Sequence, residues 1–584
     1  MGTSGVDPIT LAAVVGALDS CVREMTITIR RAAMSPVLAI GNDFSNAIFD
    51  SRAQMVLQGQ DQPVHLGAMM AACKEVAGYF GAELSPGDLI YHNDPRTGGS
   101  HLQDMTLYKP IFCKDRLVFW AVCRAHMNEA GGPMAGGYNP LAEEIWAEGI
   151  RISPVKLSDR GKIRADVIDL LATNLRTRRQ FHGDLRAQIA TCTVAERRLT
   201  RLVERYGVDL VEVCMATWLD RAEELMRAEI RSIPDGEYEG RSLVEDDGHG
   251  SGELEIHAAV AVTGDQVRVK LRAPRQTRSY INSYAANSVG AVYLGLITFV
   301  DPSIPHNEGM YRPIAVDLGA PGSLVNAEEP AACSMSTSTP YGHIAEAVRT
   351  ALAAALPDRA GGGWAKICLE CFTGIDPRTG EIYAYWCHLG LGGGGAFRGS
   401  DGEPAVGPVE VAGAAMTGDI ELIEYMLPLQ VRRYELLPDS SCPGRWRGGW
   451  GTIAEIEPVG HACQVSFMGD GMRYPPGSVL GGGSADDRAR VFKKWIVRRE
   501  GIESIRLHTI QQVSPGDFVR LNSAGGGGVG EAVERPLEFI EQDLRNELLS
   551  VPAAEDAYGV SLERNSKGAL VASRPGSPST PPVD

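Results

Sequence analysis

Two histidines and an aspartate fall at the open end of one predicted β-hairpin, where side chains of these types could hold a divalent metal. Met105–Phe112 and Leu117–Ala125 are apolar, β-branched and aromatic runs, and the short polar connection between them suits a hairpin turn. With the turn at the centre of that connection, His126 lies opposite Gln103. The hairpin therefore brings His126 next to Asp104.

His101, one turn of chain before Asp104, completes this group. Two imidazoles and a carboxylate suit Zn, Mn or Fe, and the ligand types alone do not decide among these metals. Four of the chain's 12 histidines (His65, His92, His101 and His126) belong to this part of the sequence. A single histidine at a strand end is more often a hydrogen-bonded loop residue. At this point a metal site and a hydrogen-bonded cluster are both open.

The same region belongs to an ordered series of motifs that runs along nearly the whole chain. In chain order they are Asn42-Asp43-Phe44-Ser45, Gln62–Gly67, Gly87–Pro95, Gly98–Asp104, Arg124-Ala125-His126, Ile304–Gly309, Arg445–Gly449 and Asn522–Gly528. This series resembles the hydantoinase B/oxoprolinase family, which includes subunits of ATP-dependent hydantoinases, 5-oxoprolinase-type lactamases and ketone carboxylases. The resemblance extends from about Asp7 to Leu562.

The resemblance implies a metal-ligand set. In family members with a metal, the ligands come from the H-x-x-D pair, the histidine of the R-A-H motif and the aspartate of the N-D-F/Y-S motif. By position these are His101, Asp104, His126 and Asp43. The metal expected there is Zn or Mn.

The resemblance also implies a partner. ATP is bound in this family by an A-type subunit of actin-like fold, and this chain carries no nucleotide-binding motif of its own. We therefore expect one half of a hetero-oligomer, a dimer of heterodimers, that acts on a small-molecule substrate. The Gly-rich loops Gly392–Gly395 and Gly525–Gly528 are candidates for lining the path between the subunits, because glycine allows close backbone approach.

The expected reaction is ATP-dependent hydrolysis of a cyclic amide such as a hydantoin, a lactam or 5-oxoproline. A metal lowers the pKa of bound water, and Glu129 or Glu148 could accept the proton. His65, at the start of a predicted helix over Leu66–Phe80, is a candidate substrate contact, with a capping or loop role as the alternative.

Two other functions are compatible with the same residues. The first is a subunit of an ATP-dependent carboxylase of a ketone such as acetone or acetophenone, because that branch carries the same H-x-x-D and R-A-H motifs. The second is a scaffold subunit whose histidine cluster is purely structural.

Composition excludes several classes of protein. A net charge of −17 disfavours nucleic acid and anionic membranes as partners. The sequence shows no signal peptide and no run of apolar residues long enough to span a bilayer, and its 12 cysteines are scattered. We expect a cytoplasmic protein with reduced thiols.

The hydrophobic patterns predict a mixed α+β fold with an α-helical insert and a β-rich C-terminal region. The resemblance implies that this is the large, multi-lobed hydantoinase-B-type architecture. The expected division is a metal-site α/β region over 1–159, an α-helical arm over 160–235, a mixed α/β region over 236–440, a β-rich region with closing helices over 441–562 and a disordered tail over 563–584.

Overall fold

The computed structural model describes residues 6–411, 413–483, 490–566 and 568–574, and it has the mixed α+β architecture that the sequence predicts. The helices are α1 (Pro8–Ala32), α2 (Pro36–Ala39), α3 (Pro63–Phe80), α4 (Ala165–Thr173), α5 (Arg178–Tyr206), α6 (Val208–Ile230), α7 (Ala285–Ile297), α8 (Thr339–Ala355), α9 (Ile420–Met426), α10 (Leu537–Arg545) and α11 (Val551–Tyr558). Among the described residues, no helix is both long and apolar enough to cross a membrane.

The N-terminal sheet carries the predicted hairpin at its centre. Its strands are β1 (Phe44–Asp50), β2 (Met55–Gln58), β3 (Leu89–His92), β4 (Asp104–Cys113), β5 (Arg116–His126), β6 (Val155–Asp159) and β7 (Lys162–Ile163). They are arranged in the order β2-β1-β5-β4-β3-β6-β7, and every pairing is antiparallel. Both faces of β4 and β5 are buried, which explains why these strands consist of nearly continuous apolar runs.

The hairpin forms as predicted, but its register differs by one residue at the open end. His126 pairs with Asp104 and not with Gln103. The cause is an irregularity between Ile111 and Phe112, where one strand takes up an extra residue. The shift brings the two side chains of the candidate site into direct register.

Helices cover this sheet. Asp7 caps α1 through a hydrogen bond from the Thr10 backbone N–H, and the buried stripe of α1 packs against α5. The helices predicted for 160–235 are present, and α5 lies against β4 and β5. There Gln188 donates hydrogen bonds to the carbonyl oxygens of Met105 and Cys123. This segment therefore buries the central hairpin.

A second sheet lies in the middle of the chain. It contains β8 (Gly236–Val244), β9 (Leu254–Thr263), β10 (Gln266–Arg272) and β11 (Ile314–Asp317) in the order β11-β10-β9-β8. Helix α8 packs against β8 and β9, and α7 packs between α8 and α3. The two regions thus share one hydrophobic core.

The C-terminal part is β-rich, as predicted. Its strands are β12 (Cys368–Ile375), β13 (Ile382–Trp386), β14 (Leu429–Leu436), β15 (Thr452–Pro458), β16 (Cys463–Gly469), β17 (Lys493–Arg498), β18 (Gly501–Ser504), β19 (Thr509–Val513) and β20 (Phe518–Asn522). They form two sheets, β13-β12-β16-β19 and β14-β15-β20-β17-β18.

The expectation that the glycine-rich loops line a path between subunits is wrong. Gly392–Gly395 and Gly525–Gly528 are buried and pack backbone against backbone, together with the segment around Gly448. A Cβ on Gly526 would lie 1.8 Å from the carbonyl oxygen of Gly394, so no larger residue fits there. We call this arrangement the glycine interlock.

The sequence prediction places the start of the disordered tail too early in the chain. Residues within 563–574 form a hairpin between β21 (Ser561–Arg564) and β22 (Leu570–Ser573), and Ala572 is buried beside α10. The apolar run Ala569–Ala572 makes this contact, and the Pro- and Ser-rich composition of the tail as a whole does not reveal it. Residues 575–584 lie outside the described residues.

The glycine interlock yields a stability prediction. Gly526→Ala should destabilise the fold by about 3 kcal/mol or more, because the added methyl group meets backbone atoms that cannot turn away. Gly78→Ala, on an exposed face of α3 with open space around its Cβ, should be neutral or stabilise by up to about 1 kcal/mol. Urea or thermal unfolding measures both effects, and equal midpoints for Gly526→Ala and wild type would contradict the packing described.

Candidate metal centre

The site is built around the Asp104 carboxylate, which is fully buried at the start of β4. Its Oδ1 atom lies 2.9 Å from His101 Nε2 and 3.3 Å from His126 Nδ1. His126 ends β5 directly opposite Asp104, and His101 lies in the loop that leads into β4. The sequence prediction that these three side chains converge is confirmed by this geometry and by their grouping as possible metal ligands.

The hydrogen bond that His101 makes on the side away from Asp104 identifies which of its ring nitrogens carries a proton. His101 Nδ1 lies 2.7 Å from the carbonyl oxygen of Ser334, which can only accept, so Nδ1 carries the proton. In the neutral ring, Nε2 then has a free lone pair that points at Asp104 Oδ1. The 2.9 Å contact between His101 Nε2 and Asp104 Oδ1 therefore requires either a proton between the two atoms or a cation beside them, and no other group among the described residues donates to this oxygen.

His65 joins the same group. Its Nε2 lies 3.5 Å from Asp43 Oδ1 and 3.5 Å from Asp104 Oδ1. Ser45 Oγ donates to the Gln62 carbonyl oxygen and so accepts from His65 Nδ1, which again leaves the inner nitrogen with its lone pair. His65 was predicted as a substrate contact at a helix start; it lies in the first turn of α3 and faces both carboxylates of the site.

Asp43 approaches from the residue before β1. Its Oδ2 atom is 3.7 Å from His126 Nδ1, and its side chain is 21% exposed, whereas that of Asp104 is fully buried. Asp43 is therefore the carboxylate of the cluster that is open to the adjoining cavity. The structure brings it together with the three residues of the hairpin.

The electrostatics of the cluster favour an ionised Asp104. Burial by itself would raise the pKa of this carboxyl, but His101 and His65 facing it hold the pKa well below its usual range. Ser100 Oγ donates a hydrogen bond to the other carboxylate oxygen, Oδ2. Behind Ser100 lies the fully buried guanidinium of Arg124, which also donates to Thr106 Oγ1 at 2.9 Å.

Glu148 supports the site from outside it. Its two carboxylate oxygens accept hydrogen bonds from the backbone N–H groups of Cys333 (2.7 Å) and Ser334 (2.6 Å). The same Ser334 holds His101, so Glu148 positions that imidazole through one peptide unit. Burial raises the pKa of Glu148 to about 7. Its oxygens do not line the cavity next to the cluster.

The structure does not bring Glu129 to the site. Its buried carboxylate accepts hydrogen bonds from the backbone N–H groups of Arg176 and Thr177 and pairs with the Arg176 guanidinium. These contacts hold the start of α5. Glu129 also does not line the cavity.

A cavity of about 50 Å³ adjoins the cluster and reveals residues that sequence reasoning missed. Asp43, His65, His101 and His126 line it, and so do Tyr138, Trp386 and His388. The Tyr138 and Trp386 rings meet edge to face with centroids 4.1 Å apart, and burial lowers the pKa of His388. Tyr138 lies in the loop that follows the hairpin, whereas Trp386 and His388 come from a distant part of the chain, and no spacing in the sequence links those two to the hairpin.

The comparison with known families agrees with this geometry. A family model described as hydantoinase B/oxoprolinase matches residues 7–532, the greater part of the chain. The chain belongs to the hydantoinase B/oxoprolinase family.

Individual relatives of this family member share its full length. It is 45% identical to the beta subunit of the caprolactamase of Pseudomonas jessenii over 563 residues, 96% of this chain and 97% of that protein. The crystal structure of the ATP-dependent caprolactamase from P. jessenii matches 97% of this chain and 98% of that chain, with a TM-score of 0.92 and 44% identity. This chain is also 28% identical to the B-type subunit of a putative D-/L-hydantoinase of Pseudomonas sp. (strain NS671), over 95% of this chain and 96% of that protein.

A nucleotide-free acetone carboxylase structure matches 97% of this chain and 81% of that chain with a TM-score of 0.86. Its identity to this hydantoinase B-type chain is 17%, so the likeness is one of fold.

Substitutions of Glu148 and Glu129 in this hydantoinase B-type chain should have different effects. Glu148→Gln replaces one of two acceptor oxygens by a donor facing a backbone N–H, so it should loosen Ser334 and His101 and weaken metal binding by about 10-fold or more. Glu129→Gln should lower stability without changing metal affinity. Metal titration of both purified variants distinguishes these outcomes. Unchanged affinity in Glu148→Gln would show that it does not position His101.

Proposed function

We propose that this chain is the metal-binding subunit of an ATP-dependent hydrolase of cyclic amides. Its similarity over the full length to the beta subunit of caprolactamase supports the class of reaction. The observation that carries the proposal is the buried Asp104 carboxylate faced by imidazole lone pairs, because such a donor set is suited to a divalent cation.

His101, Asp104 and His126 would hold the metal, and Asp43 would complete the set through one carboxylate oxygen. Nitrogen and carboxylate donors of this kind suit Zn or Mn. When bound, the metal supplies Lewis acidity, which lowers the pKa of water from 15.7 towards about 7 and polarises an amide carbonyl. Ser334 and Ser45 orient the rings of His101 and His65 for this purpose.

We assign to Asp43 the role of accepting the proton of the attacking water. It is the cluster's carboxylate that is open to the cavity, where its oxygens lie 3.5 Å from His65 Nε2 and 3.7 Å from His126 Nδ1. Glu129 and Glu148 were the sequence-based candidates for this role, but both oxygens of each are engaged by backbone N–H groups or by arginine.

ATP explains why a partner is needed. An unstrained amide is a poor electrophile, and phosphorylation of its oxygen activates the carbonyl carbon. Water adds to that carbon, the ring C–N bond breaks as a proton passes to nitrogen, and a second water releases phosphate from the resulting acyl phosphate. We assign the phosphorylation to an A-type, ATP-binding subunit of actin-like fold, because relatives of this chain are themselves named as subunits. Dependence on ATP also favours a cytoplasmic location.

The ketone carboxylase alternative has weaker support. The acetone carboxylase likeness is one of fold, whereas the caprolactamase likeness extends to 45% identity over the whole chain. A scaffold role has weaker support, because a buried carboxylate that faces three imidazole nitrogens is a donor set suited to a divalent cation.

The first test of this proposal combines metal content with turnover. His101→Ala and His126→Ala, reconstituted with the ATP-binding subunit, should lose bound metal and more than about 100-fold of their ATP-dependent lactam hydrolysis. His461→Ala is the matched control, because His461 contacts Tyr383 on the C-terminal sheet and lies outside the site. Full turnover in a metal-free variant would overturn the proposal. ATP-dependent incorporation of labelled bicarbonate into acetone would favour the carboxylase.

The second test concerns assembly. A phosphorylated intermediate that passes between subunits requires a sheltered path, so the two chains should form a stable interface of roughly 2,000 Å² or more. Co-expression should yield a complex that co-elutes at the mass of a dimer of heterodimers. A chain that purifies alone and still hydrolyses lactams with ATP would contradict this assembly.

A further inference from the structure

One histidine at the cavity lies outside the metal cluster. His388 begins the short 3-10 helix that follows β13, and it lines the same cavity as Asp43, His65, His101 and His126. It does not belong to the group of possible metal ligands. Its imidazole is therefore available to a molecule bound beside the cluster.

The surroundings of His388 hold its ring in one tautomer. Its Nδ1 atom lies 3.2 Å from the carbonyl oxygen of Met416, which can only accept, so Nδ1 carries the proton. Met416 follows Ala415, which lines the cavity together with Val411. On another side the ring packs against the backbone of Gly41, where a Cβ would lie 3.0 Å from His388 Cε1. No described residue hydrogen-bonds to Nε2, so this nitrogen keeps its lone pair.

The other polar groups outside the metal cluster are poorer proton carriers. Burial raises the pKa of Tyr138 well above its usual range, so its phenol keeps its proton. The indole N–H of Trp386, which has no partner among the described residues, can donate a hydrogen bond but does not release its proton. Thr337 and Ser338 offer only aliphatic hydroxyl groups. An imidazole, in contrast, gains and loses a proton readily near neutral pH.

We propose that His388 carries protons from Asp43 to the ring nitrogen of the substrate; this proposal rests on the proposed function. The two side chains line one cavity of about 50 Å³. Burial lowers the pKa of His388, and the charge of Asp43 acts on the same ring in the opposite direction. The neutral ring accepts a proton at Nε2 and releases it from the same atom, as the imidazole of a hydrolase triad does.

The atoms of the step balance. Phosphorylation of the amide oxygen leaves the activated carbon doubly bonded to the ring nitrogen. The oxygen of water bonds to this carbon, and its first hydrogen reaches the nitrogen through Asp43 and His388. When the C–N bond breaks, its electron pair stays on nitrogen, the carbonyl group re-forms, and the second hydrogen follows the same route. The nitrogen leaves as a primary amine, and both side chains return to their starting states.

Two six-membered rings that differ by one carbonyl group test this role. The nitrogen of 2-piperidone leaves as an amine and needs a proton, whereas that of glutarimide leaves as an amide, a much better leaving group. In the reconstituted complex with ATP, His388→Gln should lower kcat for 2-piperidone by about 100-fold or more and kcat for glutarimide by less than about 10-fold. Bound metal should be unchanged, because His388 is not a ligand.

His508→Gln is the matched control. His508 is also buried, but its Nδ1 atom contacts the Tyr280 hydroxyl group and it does not line the cavity, so kcat for both substrates should be unchanged. Added imidazole should restore activity to His388→Ala, which would also show that this variant folds.

Equal losses on the two substrates without rescue by imidazole, or loss of bound metal from His388→Gln, would overturn the proposal while leaving the proposed function intact. Absence of ATP-dependent hydrolysis of any cyclic amide by the wild-type complex would instead refute the proposed function.

Discussion

A carboxylate buried without a hydrogen-bond donor on one of its oxygens is the constraint on which this structure depends. Asp104 is fully enclosed, and its Oδ1 atom faces the ring nitrogens of His101, His126 and His65. A buried charge costs several kcal/mol unless opposite charge compensates it. The proposed divalent cation supplies that charge at the point that Asp104 Oδ1 and the imidazole nitrogens all face.

Three distant segments meet to satisfy this constraint. The central hairpin provides Asp104 and His126 in direct register, and the hydrogen bond between Ser45 on β1 and His65 on α3 closes one side. The segment at Ser334, held by Glu148, closes the other. The glycine interlock begins directly after Leu391, so it also fixes the position of this cavity-lining residue. The rigid parts of the site thus rest on strands, while Val411 and Ala415 remain outside regular structure.

The sequence predicted those parts of the site that depend on local pattern. The hairpin joining His101, Asp104 and His126 follows from two apolar runs and a short turn, and these contacts are local in the chain. The register was wrong by one residue because the irregularity at Ile111 and Phe112 has no signature among apolar residues. Asp43 was found through family resemblance alone.

Contacts between distant segments escaped the sequence analysis. His388 reaches the cavity from more than 200 residues away, through sheet packing that no periodicity reports. Glu148 was predicted to accept a proton because carboxylates often have that role. Both of its carboxylate oxygens instead accept hydrogen bonds from backbone N–H groups. The sequence correctly indicated that the glycine-rich loops approach another stretch of backbone closely, but it did not indicate which one. In the structure these loops pack against one another.

Anomalous X-ray diffraction from crystals of the purified complex, recorded on both sides of the Zn and Mn absorption edges, tests the central claim most directly. The account predicts one strong anomalous peak bounded by His101 Nε2, His126 Nδ1 and the carboxylates of Asp104 and Asp43. Metal-replete crystals that show no peak at this position, with His101 Nε2 in a direct hydrogen bond to Asp104, would contradict it.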